Sequence, residues 1–317
     1  MGRLRQKPKT STSGVGKGRG TRIRVGRKAA SLLRAYLTYV AQADVQNMRK
    51  CADTTVESRR ARRGESLLAG CFGLLACCMA GRAADTNEFL ARVYTNRSGA
   101  TLPYRLLLPK DYDAKQAYPI ILYLHGAAAR GQDNIEPLNW GPRLFLEPGL
   151  RDKHRFFLVV PQCPASQGWV EMSWGGLRGA KESEPLRLAL ELVGDTLPRE
   201  FTIDAKRRYL TGVSMGGHAV WVMLVRQPGF FAAAFPVCAG GDPKTVTTAA
   251  AKYPVWVFHS DDDNLVPVSG ARALVKAWRE HGGTAKYTEY TGLKHGSWKK
   301  AYTEMGLYDW LVEQRLP

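Results

Sequence analysis

Short apolar runs alternate with helix-like stretches along the chain from residue 85 to residue 317. Runs such as Pro119–Leu124 and Phe156–Pro161 are almost continuously apolar, which is typical of strands that are covered on both faces. Strands that alternate with helices at this spacing form βα units around a mostly parallel sheet. The sequence therefore predicts an α/β fold, with a mostly parallel central sheet and helices on both faces.

The elements of this fold can be read from the same alternation. The predicted strands are Phe89–Tyr94, Tyr104–Leu108, Pro119–Leu124, Phe156–Pro161, Arg208–Val213, Phe231–Val237, Pro254–His259 and Lys286–Tyr290. The predicted helices are Glu182–Arg199, Gly216–Arg226, Val268–Glu280 and Trp298–Arg315. Active groups in such sheets collect at the carboxyl ends of the strands, so we expect the functional residues there.

Positive charge is concentrated in the first quarter of the chain. The formal net charge is +18, but residues 1–84 hold 18 Lys and Arg against 4 Asp and Glu, whereas residues 85–317 hold 28 against 24. A nucleic-acid-binding domain carries its basic footprint on the folded domain itself. Since the excess charge lies outside the predicted domain, we expect no nucleic-acid partner.

An apolar segment precedes the predicted domain. Ser66–Ala80 contains no charged residue, four arginines stand just before it, and small residues follow at Gly81–Ala84. This pattern is typical of a secretory signal peptide, and the segment is shorter than the roughly 20 residues of a membrane-spanning helix. We expect a basic, disordered leader or a mis-assigned start over 1–65, a signal-peptide apolar region and cleavage site over 66–84, and a single α/β domain over 85–317.

Two further readings of the leader stay open. The sequences that end at Cys71 and Cys77 resemble a bacterial lipobox, so a lipid anchor is the alternative to a secreted or periplasmic protein. Translation from Met48 would give the signal peptide a basic region of ordinary length. Residues 29–43, upstream of that start, have the pattern of an amphipathic helix. No membrane span is expected.

A serine lies between a predicted strand and a predicted helix. Residues 212–217 read GVSMGG and match the G-x-S-x-G nucleophile elbow, with an apolar strand before the motif and a helix after it. In such a turn the serine is held in strained backbone geometry above the sheet, where the helix dipole favours a developing negative charge. We predict that Ser214 is a nucleophile, and the alternative is an ordinary glycine-rich turn.

A serine hydroxyl needs a general base and a group that orients that base. His295 lies in the loop between the last strand and the last helix, and we predict that it is the base. The strand before ends in three acids, Asp261, Asp262 and Asp263. Asp263 is the preferred third member and Asp261 the alternative. The chain order Ser, Asp, His is that of the α/β-hydrolases.

Residues 103–317 resemble an α/β-hydrolase throughout. Residues 124–134, LHGAAARGQDN, are similar to the motif L-H-G-x-G-E-R-G-x-D-N of an esterase group that includes feruloyl esterase-like, polyhydroxybutyrate depolymerase-like and "predicted peptidase" proteins. Dienelactone hydrolase is a more distant relative of this group. The segments Pro161–Pro164 and Gly292–Trp298 also resemble it. The chain departs from the motif at Ala128, where the group has glycine, and at Ala129, where it has glutamate.

The resemblance implies an α/β-hydrolase fold and an oxyanion hole formed by the backbone N–H groups of Ala127 and Met215. It also implies a sheet order in which the strands ending at Cys163 and Cys238 are three positions apart, roughly 14 Å. A disulfide needs Cα atoms within about 7 Å. We therefore expect both thiols to be buried and unpaired.

The expected substrate is a small or polysaccharide-linked ester. The segment Gly240–Tyr253 is too short to build a large lid, so we expect an open pocket walled by residues 132–140 and 167–176. Trp169 and Trp174 either bind an aromatic or sugar group of the substrate or pack against the sheet edge. No cofactor motif or metal-ligand spacing is visible.

The predicted activity is that of a secreted serine carboxylic-ester hydrolase for short-chain or aryl, feruloyl-type esters. The alternatives are a serine peptidase of the same fold and a non-catalytic binding protein.

Overall fold

The computed structural model of the protein describes residues 87–173 and 176–317. The predicted leader, signal peptide and lipobox sequences, and Trp174, lie outside the described residues. The strands are β1 Phe89–Thr95, β2 Thr101–Leu107, β3 Tyr118–Leu124, β4 Phe157–Pro161, β5 Val170–Ser173, β6 Gly176–Glu182, β7 Ile203–Val213, β8 Ala233–Val237, β9 Val255–Ser260 and β10 Ala285–Tyr290.

Helices join most of these strands. The α-helices are α1 Pro148–Lys153, α2 Glu184–Glu191, α3 Leu197–Glu200, α4 Met215–Arg226, α5 Thr248–Ala251, α6 Val268–Glu280, α7 Trp298–Ala301 and α8 Leu307–Glu313, and a π-helical turn, Leu192–Thr196, joins α2 to α3. Short 3₁₀ helices are Ala127–Ala129, Glu136–Trp140, Pro142–Leu146, Pro243–Thr245 and Lys294–Gly296.

Eight strands form one sheet in the order β1-β2-β4-β3-β7-β8-β9-β10. β1 pairs antiparallel with β2, and β2 pairs antiparallel with β4, whereas every further pair is parallel. The predicted α/β fold with a mostly parallel central sheet is confirmed. The parallel strands all end at the same edge, which brings the loops after β3, β7, β9 and β10 together.

Both faces of the sheet are buried, because alternate side chains of each strand point to opposite sides. Val255 and Val257 belong to one core cluster, together with residues of α4 and α6. Trp256 and Phe258, their neighbours on β9, belong to a second cluster that includes residues of α8. This two-sided burial explains the nearly unbroken apolar runs in the sequence.

Three predicted elements differ from the structure. The final helix is interrupted between α7 and α8, where Gly306 has a left-handed φ of 76° that a continuous helix cannot contain. Residues 170–182 form the β5–β6 hairpin, so the predicted loop wall is partly strand, and the following helix begins at Glu184 and not at Glu182. β7 begins five residues earlier than predicted, at Ile203.

Cys163 and Cys238 are free and buried. They follow β4 and β8, which are three positions apart in the sheet, so the sheet order that the resemblance implied holds here. Burial raises the pKa of the Cys163 thiol to about 12. Within the described part of the chain, no helix combines the length and the apolar character that a membrane crossing requires.

Candidate active site

The turn between β7 and α4 presents a strained serine. Ser214 has φ 54° and ψ −113°, a backbone conformation that residues other than glycine rarely adopt. It directly follows β7, directly precedes Met215 as the first residue of α4, and is 2% exposed. Strain of this kind persists only where the surroundings impose it.

Glycines on either side impose this turn. A Cβ at Gly216 would overlap the backbone carbonyl of Leu124 on β3, and a Cβ at Gly212 would stand 2.5 Å from the carbonyl carbon of Gly216. A Cβ at Gly217 would stand 2.5 Å from the Cβ of Ala239. Helix α4 therefore begins in direct backbone contact with the strand ends, where only glycine fits.

Ser214, His295 and Asp263 form a continuous hydrogen-bonded chain. The His295 Nε2 atom lies 2.9 Å from Ser214 Oγ, and its Nδ1 atom lies 2.8 Å from Asp263 Oδ2. His295 lies in the 3₁₀ helix after β10, and Asp263 in the loop after β9. The structure thus brings the three predicted residues together from the ends of three parallel strands.

Asp261 and Asp262 make contacts elsewhere in the same loop. Asp261 Oδ2 accepts a hydrogen bond from the Thr291 hydroxyl at 3.1 Å, and Asp262 Oδ1 accepts from the Lys294 backbone N–H at 2.9 Å. Both residues are exposed, whereas Asp263 is 8% exposed. The geometry selects Asp263 over the alternative Asp261 as the partner of His295, because the Asp263 carboxylate lies 2.8 Å from the imidazole and the Asp261 carboxylate binds Thr291.

The surroundings of Asp263 keep its carboxylate ionised. Its Oδ1 atom accepts the backbone N–H groups of Leu265 and Val266, both at 2.9 Å. Burial alone would raise the pKa of Asp263, but hydrogen bonds from His259, His295 and the Val266 N–H outweigh it and hold the pKa well below its usual value. An ionised Asp263 can only accept hydrogen bonds, so the shared proton lies on His295 Nδ1.

Two first-turn backbone N–H groups flank Ser214. Met215 and Ala127 are the first residues of α4 and of the 3₁₀ helix after β3, and N–H groups in the first turn of a helix lack an intrahelical partner. The Ala127 loop is close to the serine, since a Cβ at Gly126 would lie 3.6 Å from Ser214 Cβ. Both backbone N–H groups that were predicted as oxyanion donors thus lie next to Ser214.

His125 fixes the orientation of the peptide that carries the Ala127 N–H. Its Nδ1 atom lies 2.7 Å from the Gly126 carbonyl oxygen, and its Nε2 atom accepts the Cys163 N–H at 2.9 Å. The carbonyl and the N–H of a trans peptide point in opposite directions, so the Gly126 carbonyl is held inward and the Ala127 N–H points away from it. Burial lowers the pKa of His125 to about 4, which keeps this ring neutral.

Gln162, at the end of β4, anchors the rest of this loop. Its buried amide donates to the Ala129 carbonyl at 3.1 Å and to Asp133 Oδ1 at 3.0 Å, and it accepts the Asn134 N–H. Asp133 Oδ1 also accepts the N–H groups of Ile135 and of Glu136, the first residue of the next 3₁₀ helix. The sequence did not predict the role of Gln162, because its partners are 28 to 33 residues away in sequence.

The predicted substrate contact of Trp169 is wrong, because this residue is buried. Its side chain is fully buried, donates its indole N–H to the His125 carbonyl at 2.9 Å, and packs edge-on against the His125 ring at 5.0 Å. We therefore assign Trp169 a packing role beneath the loop that carries Ala127, in place of the predicted substrate contact. Its predicted companion, Trp174, lies outside the described residues.

His218, one turn into α4, is a third buried histidine near the site. Its Nδ1 atom lies 2.6 Å from the Gly240 carbonyl oxygen, and the ring is buried in the first turns of α4. Burial lowers the pKa of His218 to about 4. The described residues contain no group of three His, Cys, Asp or Glu side chains arranged to hold a metal ion.

Comparisons with known proteins agree with this geometry. Residues 95–243 match the family model described as "Putative esterase". The solved structure titled "Crystal Structure of a Thermostable Esterase" is 36% identical, with a TM-score of 0.68 over 73% of this chain and 64% of that one. The chain has the α/β-hydrolase fold. A structure titled "ferulic acid esterase" shares the fold at 17% identity, with a TM-score of 0.55 over 70% of this chain and 96% of that chain.

Curated relatives of this chain include an esterase and a peptidase. The bifunctional acetylxylan esterase/xylanase XynS20E of Neocallimastix patriciarum is 25% identical over 59% of the chain. The probable dipeptidyl-peptidase 5 of Aspergillus terreus is 21% identical over 66% of it. The chain spans 25% of the first relative and 33% of the second.

Replacing Gly216 with alanine should disrupt the turn. Because the new Cβ would overlap the Leu124 carbonyl, we expect Gly216→Ala to lower the free energy of unfolding by about 3 kcal/mol or to prevent folding. Gly149→Ala is the matched control, since a Cβ there meets nothing within 4 Å. Urea denaturation of both variants checks this, and equal stability would contradict the packing described for the turn.

Proposed function

We propose that residues 85–317 form a serine carboxylic-ester hydrolase that acts through Ser214, His295 and Asp263. The observation that carries the proposal is the hydrogen-bonded chain from a strained serine to a buried carboxylate, with distances of 2.9 and 2.8 Å. The placement of two backbone donors beside the serine supports the same chemistry. Esterase relatives support the choice of an ester substrate.

The first half of the reaction forms an acyl-enzyme. Ser214 Oγ attacks the ester carbonyl carbon while His295 Nε2 takes the hydroxyl proton. Negative charge develops on the carbonyl oxygen, where the N–H groups of Ala127 and Met215 stabilise it. Loss of one such donor typically costs ~10²–10³ in rate. The tetrahedral intermediate collapses when the alcohol leaves with the proton from His295.

The second half releases the acid. His295 accepts a proton from water, the resulting hydroxide attacks the acyl carbon, and Ser214 leaves with the proton returned by the imidazole. Asp263 stays ionised throughout and stabilises the imidazolium that forms in each half. The four hydrogen-bond donors around its carboxylate suit it to this role.

The proposed substrates are short-chain or aryl esters, including feruloyl-type esters on polysaccharide. The segment between β8 and β9 holds a single 3₁₀ turn, Pro243–Thr245, and the four-residue helix α5. A segment of this size is too small for a large lid. Likeness to an acetylxylan esterase/xylanase and to a ferulic acid esterase favours esters of this class.

Two alternatives and the site of action are part of the proposal. A serine peptidase uses the same residues, and the likeness to dipeptidyl-peptidase 5 favours it as the second candidate. A non-catalytic binding protein would not require an intact Ser214–His295 contact.

We propose that the hydrolase is exported to act on substrates outside the cell, with a lipid anchor as the alternative to release.

Hydrolysis of p-nitrophenyl acetate and butyrate should depend on Ser214. Because the serine is the attacking atom, we expect Ser214→Ala to reduce kcat by several orders of magnitude, with little hydrolysis of peptide p-nitroanilides by the unmodified protein. Ser98→Ala, on an exposed turn, is the matched control and should keep full activity. Equal rates for Ser214→Ala and the unmodified protein would refute the nucleophile, and faster amide hydrolysis would favour the peptidase.

The choice of carboxylate can be tested in the same assay. Since Asp263 fixes the proton of His295 on Nδ1, Asp263→Asn should lower kcat by about 10⁴. Asp261→Asn removes an exposed carboxylate two residues away and should stay within a few-fold of the unmodified protein. If Asp261→Asn were the damaging change, the assignment of Asp263 would be wrong.

A further inference from the structure

A second histidine contacts the carboxylate of Asp263. His259 lies near the end of β9, is fully buried, and places its Nε2 atom 3.2 Å from Asp263 Oδ2. The same nitrogen lies 2.8 Å from the Val266 carbonyl oxygen. His259 thus contacts the loop that carries Asp263 at two points.

The partners of His259 fix its proton. Both oxygens near Nε2 accept hydrogen bonds, so Nε2 must carry a hydrogen that the two oxygens share. The buried Nδ1 atom has no hydrogen-bond partner among the described residues, and an N–H at that position would be left unsatisfied in the interior. The ring that fits this environment is the neutral form, with its hydrogen on Nε2.

We infer that His259 is a positioning residue of the proposed reaction, which donates from Nε2 to Asp263 Oδ2 and so controls the basicity of His295. This inference rests on the proposed function of Ser214, His295 and Asp263. His259 and His295 donate to the same oxygen, while two backbone N–H groups hold the other. His259 therefore draws part of the carboxylate charge away from His295.

Other ionisable groups around His259 are accounted for. His218 on α4 and Glu289 on β10 both interact electrostatically with the His259 ring. Glu289 pairs with His259 in the β9–β10 ladder, but its carboxylate is engaged by Arg272 of α6. His218 is neutral because burial lowers its pKa to about 4. The ionised group that accepts from the His259 ring is Asp263.

Removal of the donor should change the pH dependence of the reaction. In His259→Leu the negative charge of Asp263 is no longer shared, so it stabilises protonated His295 more strongly. The acid limb of the kcat/KM profile should therefore move to higher pH, and kcat should fall about tenfold with little change in KM. A residue that only filled space would alter stability and leave this limb in place.

Two matched variants separate donation from packing. His259→Gln places an amide N–H near the position of Nε2, so it should restore the unmodified profile and most of kcat. His259→Asn has a shorter side chain whose amide stands near the position of Nδ1, so it should behave as His259→Leu does. If His259→Gln and His259→Asn give the same profile, the inference is overturned.

The test that does not depend on activity is NMR of the full chain with ¹⁵N-labelled histidine. We expect His259 to carry a hydrogen on Nε2, and the His295 Nδ1–H resonance to shift in His259→Leu. A hydrogen on Nδ1 of His259, or an unmoved His295 resonance, would overturn the inference. Lack of ester hydrolysis with the expected NMR result would refute the proposed function alone, so the two failures are distinguishable.

Discussion

The contact between helix α4 and strand β3 is the constraint on which the site depends. At Gly216 the helix backbone approaches the Leu124 carbonyl so closely that no Cβ fits. A chain that leaves a strand and enters a helix at this distance must turn within one residue, and Ser214 takes the positive φ that this requires. The strain at Ser214 is thus set by backbone packing, which places the serine at the end of the sheet.

The parallel sheet brings the other residues of the site next to Ser214. Ala127, Ser214, Asp263 and His295 follow β3, β7, β9 and β10, which all end at one edge of the sheet. Buried polar contacts then adjust each group. His125 and Gln162 hold the Ala127 loop, and backbone N–H groups hold the Asp263 carboxylate. Neutral buried histidines are suited to such positions, because a charged ring would be costly in the interior.

Much of this arrangement could be predicted from the sequence, since it depends on local signals. Unbroken apolar runs predicted the strands, the glycines around Ser214 predicted the turn, and strand ends located His295 and the group of three acids. What could not be predicted depends on contacts between distant residues. The choice of Asp263 among the three acids depends on the loop geometry. The burial of Trp169 depends on its contact with His125, 44 residues away in sequence. The β5–β6 hairpin has no strong periodic pattern in the sequence.

If Ser214 is an activated nucleophile, it should react covalently with a fluorophosphonate. The folded protein would be treated with this reagent, and the modified residue identified by mass spectrometry of its peptides. We expect one adduct, on Ser214, which forms slowly in His295→Ala and not at all once the protein is unfolded. An unlabelled Ser214 in the folded protein, or equal labelling in His295→Ala, would contradict it.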